Sequence, residues 1–166
     1  HLEVACDRLR SDFGVEASLS RPRVALRESV EMAFEHSTDV IYDATLGGQR
    51  LFCGLRLKVT PLADEEAYEA AVPITTNAVD ATPLLREALE EGLAAAATRG
   101  VLRGQALAGV AVEALSLQTD GPATTPGAVR ACAALALADA LKRAQPVLLE
   151  PIVRLEIEAP DRAVGD

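Results

Sequence analysis

The stretch TTPGAVRACAALALADALKRAQPVLLEPIVRLEIEA, residues Thr124 to Ala159, predicts a long helix followed by a strand. Thr125 can cap the free N–H groups at a helix start, and Pro126 suits the first helical position. Pro146 prevents the helix from continuing, and the segment 152–159 (IVRLEIEA) has the composition of a strand. Residues at helical spacing give the helix a narrow face that can lie close against a sheet: Val129, Cys132, Ala136 and Ala140.

A second helix is predicted upstream by the same combination of a capping threonine and a proline, Thr82-Pro83. It should run to Arg99 and end at Gly100. Gly92 lies inside it at a cost of about 1 kcal/mol in helix propensity, which indicates close packing at that point. The apolar face of this helix is formed by Leu85, Leu89, Leu93 and Ala96.

Between residues 39 and 62 the sequence predicts a β-hairpin, with the strands DVIYDATL and LFCGLRLKVT. Gly47-Gly48 supplies the positive φ angles of its turn. Further strands are predicted within residues 70–79 and at 110–117. The order β-β-β-α-β-α indicates an α+β fold, with two helices covering one face of an open sheet.

The first 13 residues predict an amphipathic helix that carries Leu2, Cys6, Leu9 and Phe13 on one stripe and ends at Gly14. Residues 15–19 alternate between apolar and polar, which is a strand pattern. Because the chain begins at His1 without a methionine, we expect it to be a piece of a longer protein.

Composition argues against several classes of function. A net charge of −9 over 166 residues disfavours general binding to nucleic acid by phosphate neutralisation, so free DNA is not an expected partner. No apolar run is long enough to span a bilayer, so a membrane is not expected either. The three cysteines, Cys6, Cys53 and Cys132, are widely spaced and have no histidine nearby. We therefore expect buried free thiols, with no metal site and no catalytic residue.

The segment QPVLLEPIVRLEIEAP carries a resemblance to a known family. It resembles the junction between the fourth and fifth domains of elongation factor G, with matching residues Pro146, Leu149, Glu150, Pro151, Glu156 and Pro160. RPRVALRES (21–29) and the loop GVLRG (100–104) resemble other parts of that family, although Val101 replaces a usual proline. The resemblance implies that residues 1–20 end a third domain, 21–148 form the fourth and 149–166 begin the fifth. It also implies a fold like the second domain of ribosomal protein S5.

The fourth domain of elongation factor G is an arm whose loop tips enter the decoding region of the small ribosomal subunit. The resemblance therefore implies that the ribosome is the partner, while GTP and Mg bind to a separate domain of the parent protein. This chain has no G-x-x-x-x-G-K-S/T phosphate loop, so no cofactor is expected on it. By likeness, the ribosome-contacting tips are Gly47, Gly48, Gln49, Arg50, Asp120, Gly121, Pro122, Ala123, Thr124, Thr125 and Pro126.

The second of these loops departs from the usual pattern, because translocating members carry a histidine there and this chain does not. Its proline- and threonine-rich composition is most similar to the mitochondrial second elongation-factor-G-like type, the ribosome-releasing factor. That type works with the ribosome recycling factor in the mitochondrial matrix. Three alternatives stay open: a translocase in the bacterial cytoplasm, a tetracycline-resistance ribosomal protection protein, and a stand-alone enzyme or binding domain of S5-like fold. A GTPase domain upstream in the parent would exclude the last.

Overall fold

The computed structural model describes residues 2–16, 25–63 and 65–152. The predicted strands at 15–19 and 152–159 fall largely outside these ranges, and the proposed domain bounds stay a prediction. The helices are α1 (Leu2–Phe13), α2 (Pro83–Ala97) and α3 (Pro126–Arg143). The strands are β1 (Arg27–Val30), β2 (Phe34–Glu35), β3 (Val40–Leu46), β4 (Gln49–Pro61), β5 (Ile74–Thr75), β6 (Val110–Gln118) and β7 (Pro146–Leu149).

The main sheet is organised around β4, which is 13 residues long. It pairs in antiparallel fashion with β3, β2 and β6, and β6 in turn pairs in parallel with β5. The register Leu46↔Gln49 joins β3 and β4 through a two-residue turn, which confirms the predicted hairpin. The predicted strands within 70–79 and at 110–117 are confirmed as β5 and β6, although β5 is only two residues long.

The core lies between one face of this sheet and the two helices α2 and α3. The predicted face of α3 is completely buried, as are the alternating residues of β4: Val129, Cys132, Ala136, Ala140, Leu55, Leu57 and Val59. A Cβ atom on Gly92 would lie 2.9 Å from the Cα atom of Arg130, so the glycine allows α2 and α3 to approach closely. The predicted α+β class, with two helices on one face of an open sheet, is confirmed.

Both predicted helix starts are confirmed by their capping hydrogen bonds. The Thr82 hydroxyl accepts from the Leu85 N–H at 3.4 Å, and the Thr125 hydroxyl accepts from the Ala128 N–H at 3.2 Å. Each threonine has an extended backbone and is followed by proline. The position of α3 relative to the loop before it is therefore fixed by local sequence.

A second, two-stranded sheet was not predicted. β1 and β7 pair in antiparallel register from Arg27↔Leu149 to Val30↔Pro146. The helix α3 ends at Arg143, before Pro146, as predicted, but Pro146 itself begins the strand PVLL. We call this pair the base ribbon, because it joins the points where the chain enters and leaves the main fold.

The predicted N-terminal helix is confirmed as α1, and two residues of its stripe, Leu9 and Phe13, are exposed. Phe13 is 74% exposed and Leu9 is 40% exposed. The helix ends as predicted, with the Gly14 N–H donating to the Arg10 carbonyl at 3.1 Å. Across the described ranges, no helix has the length and apolar character needed to cross a membrane.

Candidate functional site

The first predicted loop forms the tight end of the β3–β4 hairpin. Gly47 and Gly48 have φ angles of +59° and +81°, which type I′ hairpin turns require and which residues with a Cβ atom adopt at a cost. The Leu46 side chain, next to the turn, is 73% exposed. The hairpin therefore presents an apolar side chain and exposed backbone at its tip.

The second predicted loop connects β6 to α3 and contains a short 3-10 helix, Gly121–Ala123. The Thr124 side chain is buried, and its hydroxyl accepts from the Asp120 N–H at 2.7 Å. The Ala123 N–H donates to the Asp120 carbonyl at 3.0 Å. Since Thr125 and Pro126 then start α3, this loop is ordered by its own sequence and by the helix that follows.

Arg50 joins the two loops. Its Nε and Nη2 atoms donate to the two carboxylate oxygens of Asp43 at 3.0 and 2.8 Å, and its Nη1 atom donates to Asp120 at 2.6 Å. The hydrogen bond from Arg50, helped by its charge, lowers the pKa of the Asp43 carboxyl. The two carboxylates in return raise the pKa of the Arg50 guanidinium, Asp43 contributing most. The structure therefore brings the two predicted tips together.

This tip region carries no excess of positive charge. Residues 45–50 and 119–126 contain a single cation, Arg50, and it is paired with two carboxylates. The guanidinium also lies over the Phe52 ring, 5.1 Å from its centroid. The tip thus offers small, apolar and backbone groups to a partner and has no array of free cations for binding phosphates.

Asp43 is the residue of this cluster that our sequence analysis missed. Thr45 is the direct cross-strand partner of Arg50, and Asp43 lies two residues away on the same face. A long side chain such as arginine can reach such a diagonal neighbour. The alternation of side chains along the hairpin could therefore have indicated the pair of Asp43 and Arg50. The contact between Arg50 and Asp120 could not be predicted from their spacing in the sequence. Contact of these residues with a ribosome stays a prediction.

A groove of about 490 Å³ between the β2–β3 connection and α3 is a second candidate. It contains His36, whose Nδ1 atom accepts from the Leu57 N–H at 3.1 Å and whose Nε2 atom faces Asp139 at 3.2 Å. Arg143 also pairs with Asp139, at 2.8 Å. Because these groups satisfy one another, we interpret His36 as a residue that fixes β2 and α3 to β4.

The thiols give no candidate site. Cys53 and Cys132 are buried as predicted, while Cys6 is partly exposed. The Cys132 thiol lies 3.3 Å from the Cys53 carbonyl oxygen, to which it donates. In the described ranges, no group of histidine, cysteine and carboxylate side chains is arranged to hold a metal ion.

Comparison with known proteins decides the family. The family described as elongation factor G, domain IV, matches residues 22–145. The chain belongs to that family. Over its whole length it is 29% identical to elongation factor G 1 of Bdellovibrio bacteriovorus and 31% identical to elongation factor G of Thermotoga maritima. It spans only 23% and 24% of those two proteins, about a quarter of their length.

A crystal structure of a protein from Thermus thermophilus is similar to this elongation factor G domain IV chain. It has a TM-score of 0.73 and 27% identity, covering 89% of this chain and 21% of that one. This similarity agrees with the predicted fold of the ribosomal S5 second-domain type. The resemblance to elongation factor G is therefore confirmed at the level of the family, and the ribosome-releasing type stays a prediction.

Proposed function

We propose that this chain is the arm with which a translational GTPase of the elongation factor G family engages the decoding region of the small ribosomal subunit. The observation that carries the proposal is the joining of two loop tips, through Arg50, at one end of a rigid scaffold. The base ribbon lies toward the other end, because Glu28 of β1 bridges to Leu107 just before β6 starts. Functional loops held at the far end of a packed scaffold are suited to a domain that acts by placing those loops at a defined position on its partner.

The arm's own contribution is mechanical. Its core fixes β4 and β6 against α2 and α3, so the tip moves together with the scaffold. In this proposal GTP and Mg bind in another domain of the parent protein, and hydrolysis there drives the arm. The 166-residue chain should accordingly show no saturable binding of a labelled GTP analogue at micromolar concentrations, whereas the parent should bind it.

The ribosome contact can be tested by directed cleavage of ribosomal RNA. A parent protein with its exposed cysteines replaced would carry Thr45→Cys at the tip, and a matched version would carry Ala95→Cys on the exposed side of α2. Both would be coupled to an iron chelate that generates hydroxyl radicals. We expect cleavage of decoding-region RNA from position 45 and none there from position 95. Ribosome binding with equal cleavage from both positions, or with none from position 45, would contradict the proposal.

Within this family we propose that the parent is a ribosome-releasing factor which acts with the ribosome recycling factor. The loop 120–126 supports this, because it consists of small residues braced by two prolines and has no histidine to contact a codon–anticodon pair. A domain that separates the ribosomal subunits must push against them without bending. The prolines reduce the backbone freedom of the loop before it binds. The parent, mixed with recycling factor and GTP, should dissociate post-termination ribosomes and should be poor at translocating peptidyl-tRNA.

Translocation is the second candidate, and it is favoured by the bacterial relatives, each of which is an elongation factor G. Efficient translocation by the unmodified parent would decide for it. We propose the mitochondrial matrix as the location of the releasing type, with the bacterial cytoplasm as the alternative. Locating the tagged parent in cells of the source organism tests this point separately.

A further inference from the structure

We propose that Arg50 is a positioning residue that locks the hairpin tip and the β6–α3 loop into one rigid surface. We call the hydrogen-bonded set Asp43, Arg50 and Asp120 the lock. The lock is a property of this chain, whereas its role in ribosome engagement rests on the proposed function. The two loops are 70 residues apart in sequence, and Arg50 donates to Asp120 in the second loop at 2.6 Å.

The nitrogen atoms of the guanidinium have different hydrogen-bond partners. Nε and Nη2 take both oxygens of Asp43, a bidentate arrangement within the hairpin, and this leaves Nη1 directed at Asp120. A planar guanidinium can serve two carboxylates in fixed directions, while a lysine ammonium acts as a single point charge. Arginine is therefore the residue type that this arrangement requires.

The hairpin side of the lock is held more firmly than the loop side. Asp43 belongs to the regular β3–β4 ladder, and the Phe52 ring below the guanidinium limits its movement. Asp120, in contrast, lies before a single turn of 3-10 helix. Arg50 thus acts as a fixed point to which the β6–α3 loop is attached.

Removing the arginine should do more than delete two ion pairs. Asp43 and Asp120 would then be two carboxylates with no cation between them, and like charges repel. The loop could still form its internal bonds, such as that between the Asp120 N–H and the Thr124 hydroxyl, but it would open more often because its position relative to the hairpin would no longer be fixed. The core does not contain these side chains, which are about half exposed.

Amide hydrogen exchange of the 166-residue chain tests the lock without a ribosome. In Arg50→Gln, we expect exchange at the amides of Ala123 and Thr124 to be about two- to fivefold faster, the range typical of a surface ion-pair network. Arg56→Gln is the matched control, because Arg56 lies on the same strand and pairs with Asp39 at 2.8 Å, away from the tip. Asp120→Asn should reproduce the effect, and Arg50→Lys should restore only part of the protection.

The effect of salt on exchange distinguishes the ion pairs of the lock from apolar packing. Raising NaCl from about 50 mM to about 1 M should speed exchange of the loop in the unmodified chain, because it screens the ion pairs of Arg50. It should not speed exchange in Arg50→Gln, where only the repulsion between Asp43 and Asp120 is left to screen. The urea midpoint should be nearly the same in Arg50→Gln and Arg56→Gln. Unchanged exchange in Arg50→Gln, or equal increases in both variants, would overturn the lock.

A ribosome-binding measurement on the parent tests the consequence. Arg50→Gln should weaken binding about twofold or more relative to Arg56→Gln, since apparent affinity falls with the fraction of arms in the competent arrangement. Faster loop exchange with no difference in ribosome binding would refute the positioning role. If the unmodified parent did not bind ribosomes at all, the proposed function would fail, while the exchange experiment would still decide the lock.

Discussion

Replacing Glu28 with glutamine should strongly destabilise this domain, although the two side chains have nearly the same shape. The Glu28 side chain is 1% exposed, and its carboxylate accepts the N–H groups of Leu102, Arg103 and Gln105 at 2.8, 2.8 and 2.9 Å. The NH₂ group of glutamine donates and cannot accept. At least one loop N–H would therefore lose its acceptor, and the others would lose the strengthening that a negative charge gives.

The magnitude follows from these bonds. A hydrogen bond to a charged group contributes about 1.5–3 kcal/mol, and a buried donor without a partner costs about 1–3 kcal/mol. We expect Glu28→Gln to lower the free energy of unfolding by about 3 kcal/mol, measured by urea denaturation followed by circular dichroism at neutral pH. Glu31→Gln, at an exposed position close by in the sequence, should change it by less than about 0.5 kcal/mol. A loss below about 1 kcal/mol in Glu28→Gln would refute the reasoning.

The pH dependence gives a second check on Glu28. Burial raises the pKa of the Glu28 carboxyl, but hydrogen bonds from the N–H groups of Leu102, Arg103, Gln105 and Val101 together bring it below the ordinary value of 4.5. A lowered folded-state pKa means that the stabilisation is complete above the unfolded-state pKa and is lost as pH falls through the folded-state value. The stability difference between the unmodified chain and Glu28→Gln should therefore shrink as the pH is lowered below 4.5.

Three further predictions concern glycines and thiols. Gly48→Val should lower the free energy of unfolding by about 1–2 kcal/mol, because φ is +81° there, and should impair ribosome engagement by the parent more than its urea midpoint suggests. Gly92→Ala should lower the free energy of unfolding by about 1 kcal/mol, because its Cβ atom would lie 2.9 Å from the Arg130 Cα atom and overpacking outweighs the gain in helix propensity. A thiol reagent at neutral pH should rapidly modify Cys6 alone, because Cys53 and Cys132 are buried.

Each of these predictions has a control within the chain. Gln49→Val places the same side chain beside the turn but in strand conformation, so it should not destabilise the hairpin. Gly127→Ala lies in α3, where the nearest atom to a new Cβ is 3.7 Å away, and it should stabilise the chain slightly. Stabilisation by Gly92→Ala, a harmless Gly48→Val, or rapid labelling of more than one thiol in the native state would each contradict the corresponding prediction.

Local signals were sufficient to predict most of the main sheet and both covering helices. The Thr-Pro starts of α2 and α3, the glycine turn and the alternation of β4 each determine structure within a few residues. The base ribbon could not be predicted in this way, because β1 and β7 are far apart in sequence and each is only four residues long. A buried Glu28 in β1 also hides the apolar pattern by which strands are recognised.

The candidate site was predictable in its positions but not in its chemistry. The turn residues indicated the two loops, and the family resemblance implied a role for them that stays a prediction. The contact between Arg50 and Asp120 depends on how β6 and β4 are aligned, including the register shift between Arg56 and Leu57. Such an offset displaces every residue beyond it along the strand, and sequence spacing does not reveal it.

Because of the base ribbon, the domain can rotate like a lever that is attached at one end. Its entry and exit strands are hydrogen-bonded neighbours, so they lie about 5 Å apart and form a single narrow mount. The 13 residues of β4 extend from the tip turn toward this mount, a length of about 40 Å at roughly 3.3 Å per residue. A rotation of about 10° at such a mount would move the tip by roughly 7 Å, about two residues of extended chain. Small changes of angle at these four residue pairs would thus become displacements of the tip on the scale of a nucleotide, without any change inside the domain.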